Sequence, residues 1–518
     1  VPDPRDVAGA PWWQSAVVYQ VYPRSFADGN GDGIGDLPGL LARLPHVASL
    51  GVDAIWLSPV FRSPMADFGY DVSDYRDVDP VFGTLADLDR VIGRAHALGL
   101  RVLLDWVPNH TSDRHPWFLE SRSSRTSPRR DWYVWRDRKP DGSPPNNWTA
   151  AFLHGRPAWT FDPATGQSYL HSFLPEQPDL DWSNPEVRRA MHDVLRFWLD
   201  RGVDGFRVDV AHCLGKDPSL PDDPEHLAVV PHCALNHHPS TRPILGELRR
   251  LVDADPREPL LVGEIFLVAP HEMSDYAGPG AFHLAFDLPG SLHTRWEAAA
   301  WRARALEGAD RLGRDAWPTL VLSNHDVPRH RTRFGSEARA RAATVLLLGL
   351  PGTPFLYAGE ELGLEDALVP PDRRVDPGDR DGCRSPIPWD EAPGHGWSVE
   401  PWLPFAPDAA ARSVAHEEAD PASMLHLYRR LLAVRRASPA LRAGGIRVLD
   451  APDDVLAWER TRDGDRRVCV VNFASEPREV GSPGRLRVEA STHVRESGEV
   501  FDGRLSPDEG VVLRPDAG

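Results

Sequence analysis

The chain of 518 residues is poor in cysteine, methionine and tyrosine, with 4, 4 and 9 of each. Its cysteines, Cys213, Cys233, Cys383 and Cys469, form no C-x-x-C pair, which argues against a zinc site and dithiol redox chemistry. A Cys213–Cys233 bridge stays open, but nothing requires one. Long apolar runs are missing too. A run such as 345–350 is far short of the ~20 residues a membrane helix needs. Basic charge is in deficit: Lys+Arg 58 against Asp+Glu 76 gives a net charge of −18. That balance disfavours nucleic acid and anionic membranes as partners and leaves neutral small molecules open. The opening Val1-Pro2-Asp3-Pro4 has no apolar run of the kind a secretory leader carries. The expected location is cytoplasmic, with secretion an open alternative, and the expected state is a monomer or homodimer.

Tryptophan is plentiful, at 18. Aromatic faces pack on the C–H surfaces of sugars, although most tryptophans serve the core. The most informative stretch is Gly205-Phe206-Arg207-Val208-Asp209-Val210-Ala211-His212. In a strand, residues i and i+2 share a face. Arg207 and Asp209 are thus expected on one side, with Phe206, Val208 and Val210 on the other. A guanidinium beside a carboxylate keeps it ionised, as a nucleophile at a sugar carbon must be. On these eight residues alone, a structural ion pair is an equal reading.

The rest of the chain alternates strand and helix. Strands are expected at 17–22, 54–58, 101–107, 205–211, 260–265, 282–287, 319–323 and 355–357 from their β-branched and apolar character. Residues 84–98 carry a helical apolar stripe ended by Gly99, and 186–200 and 422–436 also read as helices. Eight such units predict an α/β fold: a (β/α)₈ TIM barrel. The stretch 109–178 breaks the rhythm with Ser, Arg, Pro, Asn and Trp, so a loop-rich subdomain is expected after strand 3. A second excursion, 362–405, should cover the barrel mouth. From about 440 short strands predict a C-terminal antiparallel β-domain. The expected partition is 1–108 and 179–438 for the barrel, 109–178 for the insertion and 439–518 for the β-domain.

Residues 28–36 place oxygens at relative positions 1, 3, 5, 7 and 9: Asp28, Asn30, Asp32, the Ile34 carbonyl and Asp36. That is the oxygen spacing of a calcium loop, with Gly33 at the sharp turn. Position 12 is Gly39 rather than Glu, so an EF-hand is excluded. A lone structural Ca2+ site is expected; the alternative is a metal-free Asn/Gly/Asp turn.

Polar clusters stand at four expected strand ends: Asp105 to His110, Arg207 with Asp209, Glu264, and His325 with Asp326. A barrel brings such ends to one face. Three carboxylates, Asp209, Glu264 and Asp326, would then share a pocket. Glycoside hydrolysis needs one ionised and one protonated carboxyl. Asp209 beside Arg207 is expected to be the charged one. Glu264, between Val262 and Ile265 and near anionic neighbours, is expected to hold the proton.

These motifs together resemble the alpha-amylase family, glycoside hydrolase family 13. Asp105-Trp-Val-Pro-Asn109-His110, Gly205–His212, Val262-Gly263-Glu264-Ile265 and Ser323-Asn324-His325-Asp326 match its ordered signatures. Gln177-Pro178-Asp179-Leu180-Asp181-Trp182 resembles a further signature of the alpha-glucosidase and oligo-1,6-glucosidase branch, where Asn is common at the position of Asp181. The similarity runs from about residue 12 to 475. It implies that Asp209 is the nucleophile, Glu264 the acid/base and Asp326 the group holding the sugar's 2- and 3-hydroxyls. It also implies that His110, His325 and Arg207 bind the sugar and Tyr70 stacks under it. Asp67 and Arg384 would clamp the non-reducing end. The loop 28–36 resembles this branch's calcium site. Glu360 and Glu361 are read as support for the fold, and Asp71 as support for its neighbours.

The implied activity is an exo-acting, retaining alpha-glucosidase on short alpha-glucosides. A transglucosylase on the same scaffold is the first alternative, although the Arg-Leu-Asp-Arg-Asp stretch of sucrose isomerases is absent. An endo-amylase is disfavoured by the Asp67/Arg384 match, and a non-catalytic sugar- or partner-binding barrel by the presence of all three carboxylates. Within this branch, Val210 after the nucleophile leans towards α-1,6 linkages, whereas the wording around Asp209 and Asp326 resembles enzymes acting on maltose-like substrates.

Overall fold

A computed structural model describes residues 9–225, 231, 237–266, 275–287, 292–313, 316–481 and 484–516. Eight parallel strands form one sheet: β1 (Val18–Val21), β2 (Ala54–Leu57), β3 (Arg101–Trp106), β4 (Gly205–Val208), β5 (Leu260–Ile265), β6 (Leu284–Asp287), β7 (Thr319–Val321) and β8 (Thr353–Tyr357). Their order is β6-β5-β4-β3-β2-β1-β8-β7, and the end strands meet where Thr319 Oγ1 donates to the Ala285 carbonyl at 2.9 Å. The barrel is thus closed through a side chain at that seam. Every expected strand is present, most of them shorter at the ends.

Strand periodicity decides what faces inward. Val18, Ala54, Trp56, Leu103, Leu260, Val262, Leu284, Phe286, Val321 and Phe355 fill the barrel interior as one cluster. Alternate residues such as Tyr19, Ile55, Leu104, Phe206 and Leu261 pack outward in the larger core. Continuing the inward set one step puts Gln20, Asp105, Arg207 and Glu264 at the C-terminal mouth. Gly205 makes the β4–β5 contact possible: a Cβ there would stand 2.3 Å from the Leu260 carbonyl oxygen.

Helices cover the outside. Thr84 and Asp87 close a capping box on Leu85–Ala97, Asn184 caps Pro185–Asp200, and Asp36 caps Leu37–Leu50. The stretch 109–178 carries one short helix, Pro116–Ser123, and a three-stranded sheet of Trp135–Arg136, Gln167–Leu170 and Trp159–Asp162. Its two ends meet at a bridge between His110 and Asp179. After the helix Met424–Ala437, five antiparallel strands follow: β9 (Gly445–Val448), β10 (Val455–Arg462), β11 (Asp465–Asn472), β12 (Leu486–Ser491) and β13 (Gly510–Pro515), in the order β9-β10-β11-β13-β12. Cys213 is buried, and Cys233 lies outside the described residues. Among the described residues no helix is long and apolar enough to cross a membrane.

Candidate active site

At the mouth lies a cavity of about 390 Å³, lined among others by Asp67, Tyr70, His110, Gln177, Asp209, Val210, Glu264, Asp326 and Arg380. Register builds its floor. Arg207 pairs with Asp105 on β3 and with Val262 on β5. Its Nη1 donates to Asp105 Oδ1 and to Asp209 Oδ1, each at 2.7 Å, and Nη2 lies 2.7 Å from Glu264 Oε2. One guanidinium therefore serves three carboxylates. Trp56 Nε1 (3.2 Å) and the Tyr70 hydroxyl (3.0 Å) donate to the other oxygen of Asp105.

This sharing corrects the expected division of charge. Burial raises Asp209 well above the ordinary carboxylate range; Arg207 opposes the rise, while Glu264 and Asp105 reinforce it. Burial likewise pushes Asp105 up to about 6. Arg207 cannot hold Asp209 ionised by itself, because it is divided among three anions. Glu264, held by the same guanidinium, thus adds to the burial that raises Asp209.

Asp326 behaves differently. Burial works to raise it, but the Arg380 and Arg384 guanidiniums outweigh that and hold it ionised, below the ordinary range. Its Oδ1 accepts from Arg380 Nη1 at 3.0 Å and Arg384 Nη2 at 3.3 Å. His325 is pushed down to about 3, chiefly by burial, and stays neutral. With Gln20 donating to Nδ1 (2.8 Å), the ring proton lies on Nε2 and faces the Tyr70 hydroxyl at 2.6 Å. The Tyr70 and His325 rings stack at 5.5 Å, 4° from parallel.

Tyr70, His110 and Asp67 line the cavity as expected, but Arg207, His325 and Arg384 do not. These three are buried one layer behind it. Arg384 is held there by the His325 carbonyl (2.8 Å) and Asp376 (3.0 Å). The partner of Asp67 is Arg380, whose Nη2 reaches Asp67 Oδ1 at 2.6 Å. Both arginines lie in or next to the 3₁₀ turn Asp381–Arg384, and Arg380 is the one at its entrance. Asp376, missed in the sequence, accepts from both and fixes the turn. Gln177 was quoted only as part of a motif; its Nε2 donates to Asp67 Oδ2 at 3.2 Å and lies 3.1 Å from His110 Nε2. Asp71 accepts from the Ala66 and Asp67 amides (2.9 Å each), supporting the loop that carries Asp67.

Val210 is a second correction. It was expected opposite Asp209, yet it lines the cavity. The strand ends at Val208, and Val210 turns into the left-handed region at φ 34°, ψ 48°.

The family follows from these signatures at these positions. Residues 20–444 match the model described as "Alpha amylase, catalytic domain". This chain belongs to the alpha-amylase family. It is 44% identical to a probable alpha-glucosidase of Rhizobium meliloti (strain 1021), over 90% of each chain. It is 35% identical to an oligo-1,6-glucosidase of Parageobacillus thermoglucosidasius, covering 97% of this chain and 99% of that one. Among solved structures, the alpha-glucosyl transfer enzyme XgtA superposes with a TM-score of 0.90 at 41% identity, over 98% of this chain and 100% of the other. The trehalulose synthase MutB from Pseudomonas mesoacidophila MX-45 gives a TM-score of 0.90 at 34% identity with the same coverage. As a member of the family, the chain is a glycoside hydrolase.

The loop 28–36 lies apart from this cavity. Asp28 accepts from the amides of Asn30 (3.1 Å), Gly31 (2.6 Å) and Gly33 (2.9 Å), and Asp32 from that of Ile34 (2.9 Å). Asp36 Oδ1 accepts from Gly29 (3.0 Å) and Gly39 (2.7 Å) as it caps the helix. Among the described residues no group of three or more His, Cys, Asp and Glu side chains is arranged to hold a metal ion. Asp28 and Asp32 are nonetheless near enough to add to the burial that raises Asp36. A carboxylate offers about four acceptor sites, and each of these three retains some. The loop therefore fits a cation in charge and in oxygen supply.

Proposed function

We propose that this enzyme is an exo-acting, retaining alpha-glucosidase that releases α-glucose from the non-reducing end of short alpha-glucosides. The observation that carries the reading is that one guanidinium holds both carboxyls, Asp209 at its Nη1 and Glu264 at its Nη2, each at 2.7 Å. Carboxyl groups this close leave no room for the water that an inverting enzyme places between them, at about 6.5–9.5 Å. In the bound complex Glu264 acts as the acid and Asp209 as the carboxylate that attacks C1. Glu264 protonates the departing oxygen and then takes a proton from the incoming water. Asp326, kept ionised by Arg380 and Arg384, accepts hydrogen bonds from ring hydroxyls. The Asp67–Arg380 pair with Gln177 closes the far wall and limits release to one glucose unit. Digestion of maltose and isomaltose followed by anomer-resolved NMR tests this: α-glucose is expected first, and β-glucose as first product would overturn it.

A second reading, glucosyl transfer to a hydroxyl acceptor, is favoured by the apolar wall of Val210, Phe266, Leu292 and Val327 in the same cavity. Such a wall orders little water and packs against an acceptor ring. The ratio of transfer products to free glucose on a single donor separates the two.

For the loop 28–36 we propose a bound Ca2+, held by Asp28, Asn30, Asp32, Asp36 and the Ile34 carbonyl. It would stiffen the segment leading into helix Leu37–Leu50 and take no part in the chemistry. The arrangement that supports this is an Asp at the first position accepting from the glycine amide at the sixth, as calcium loops do.

A further inference from the structure

Twelve non-glycine residues among those described have positive φ, and Val210 is the one β-branched residue among them. A β-branched side chain in this region is a genuine outlier. Strain of this kind persists only where the surroundings impose it. Here the Val210 side chain is buried in a small apolar cluster with Ala151, Phe173 and Cys213. The consequence of the turn lies in the backbone. It aims the Val210 N–H at Glu264 Oε2, 3.0 Å away, where Arg207 Nη2 also arrives at 2.7 Å.

Two donors on one carboxyl oxygen leave that oxygen no reason to carry a hydrogen. The proton must then sit on Oε1. We propose that Val210 is a positioning residue: its left-handed backbone fixes Oε2 of Glu264 and thereby selects Oε1 as the oxygen that delivers the proton to the leaving group. The inference rests on Glu264 being the acid/base, as argued above. It assigns the role to the N–H and the turn, not to the isopropyl group.

A general acid matters in proportion to how badly the leaving group needs a proton. The glucose expelled from isomaltose departs as a sugar alkoxide and needs one, whereas fluoride departs from α-glucosyl fluoride with little help. General acid assistance is worth about 10²–10⁴-fold. The test compares kcat/KM on both substrates for wild type, Val210→Gly, Val210→Pro and an amide-to-ester replacement at residue 210. Proline cannot reach φ 34° and lacks the N–H; the ester removes only the N–H and covers the case in which the proline variant fails to fold. The expected result is a loss of at least about thirtyfold on isomaltose for the ester, with α-glucosyl fluoride held within about fivefold. Val210→Gly keeps the N–H and tolerates positive φ but takes a side chain from the cavity wall, so its loss should be equal on the two substrates. Equal losses on the two substrates for the ester, no loss on either, or a glycine variant that shows the ester's split between the substrates would overturn the inference. If wild type turns α-glucosyl fluoride over to α-glucose while these variants show no split, this inference alone falls. If wild type gives no α-glucose from it, the proposed function falls as well.

Discussion

Arg380 reaches Asp67 at 2.6 Å across 313 residues of sequence, and the same guanidinium touches Asp326 at 3.0 Å. The far wall of the cavity and the carboxylate over the sugar are thus held by one side chain. Arg384, four residues on, lies 3.3 Å from the same Asp326 oxygen, but its closer partners are the His325 carbonyl and Asp376.

Arg380→Ala and Arg384→Ala should therefore fail in different ways. The first leaves Asp67 and Asp326 short of a partner inside the site. Losing one partner of a buried pair costs about 3–5 kcal/mol, so kcat/KM on disaccharides should drop by about two to four orders of magnitude. The second should chiefly lower the melting temperature and cost less activity, because it removes a buried scaffold while Arg380 still pairs Asp326. Steady-state kinetics beside thermal scans will separate them; a catalytic loss in Arg384→Ala with Arg380→Ala near wild type would restore the reading made from sequence.

Glu360 predicts a pH effect on stability alone. It is buried, accepts from the Tyr428 hydroxyl at 2.7 Å, and burial pushes it from 4.5 up to about 8. A group raised on folding stabilises fully below its unfolded value and loses that contribution as pH rises through its folded one. Between about pH 5 and 8 the wild type should thus lose stability that Glu360→Gln keeps, on the order of 3 kcal/mol. Melting curves across this range should show the variant gaining on the wild type as pH rises. A constant difference would mean that Glu360 is not protonated in the fold.

The loop 28–36 predicts a metal effect. A chelator should lower the melting temperature by roughly 5 °C, and added Ca2+ should restore it. Asp28→Ala should abolish the response. A melting temperature indifferent to chelator would leave the loop as a turn closed by its own amides.

Much of this was legible in the sequence because strand periodicity is local. The alternation that put Arg207 inward is visible in eight residues, and the same alternation aims Asp105 and Glu264 at it. What stayed hidden depends on register and on turns. That Arg207 serves three carboxylates follows from Asp105 lying opposite it across β3 and β4, a pairing no local pattern encodes. The exchange of Arg384 for Arg380 turns on which side of a 3₁₀ turn faces the cavity. Val210 escaped because the strand ends two residues before it and the chain reverses hand where a valine would not be expected to.

Asp209→Asn should cut turnover by at least about four orders of magnitude and leave the melting curve of a folded protein. A variant with near-normal turnover would remove Asp209 from the chemistry.

Capture of the intermediate tests the central claim most directly. Incubation with 5-fluoro-α-glucosyl fluoride should leave one fluoroglucosyl group on the protein, and fragmentation of the peptide spanning residues 205–212 should place it on Asp209. An adduct on Glu264 or Asp326, or turnover of the reagent with inversion and no adduct, would contradict the account.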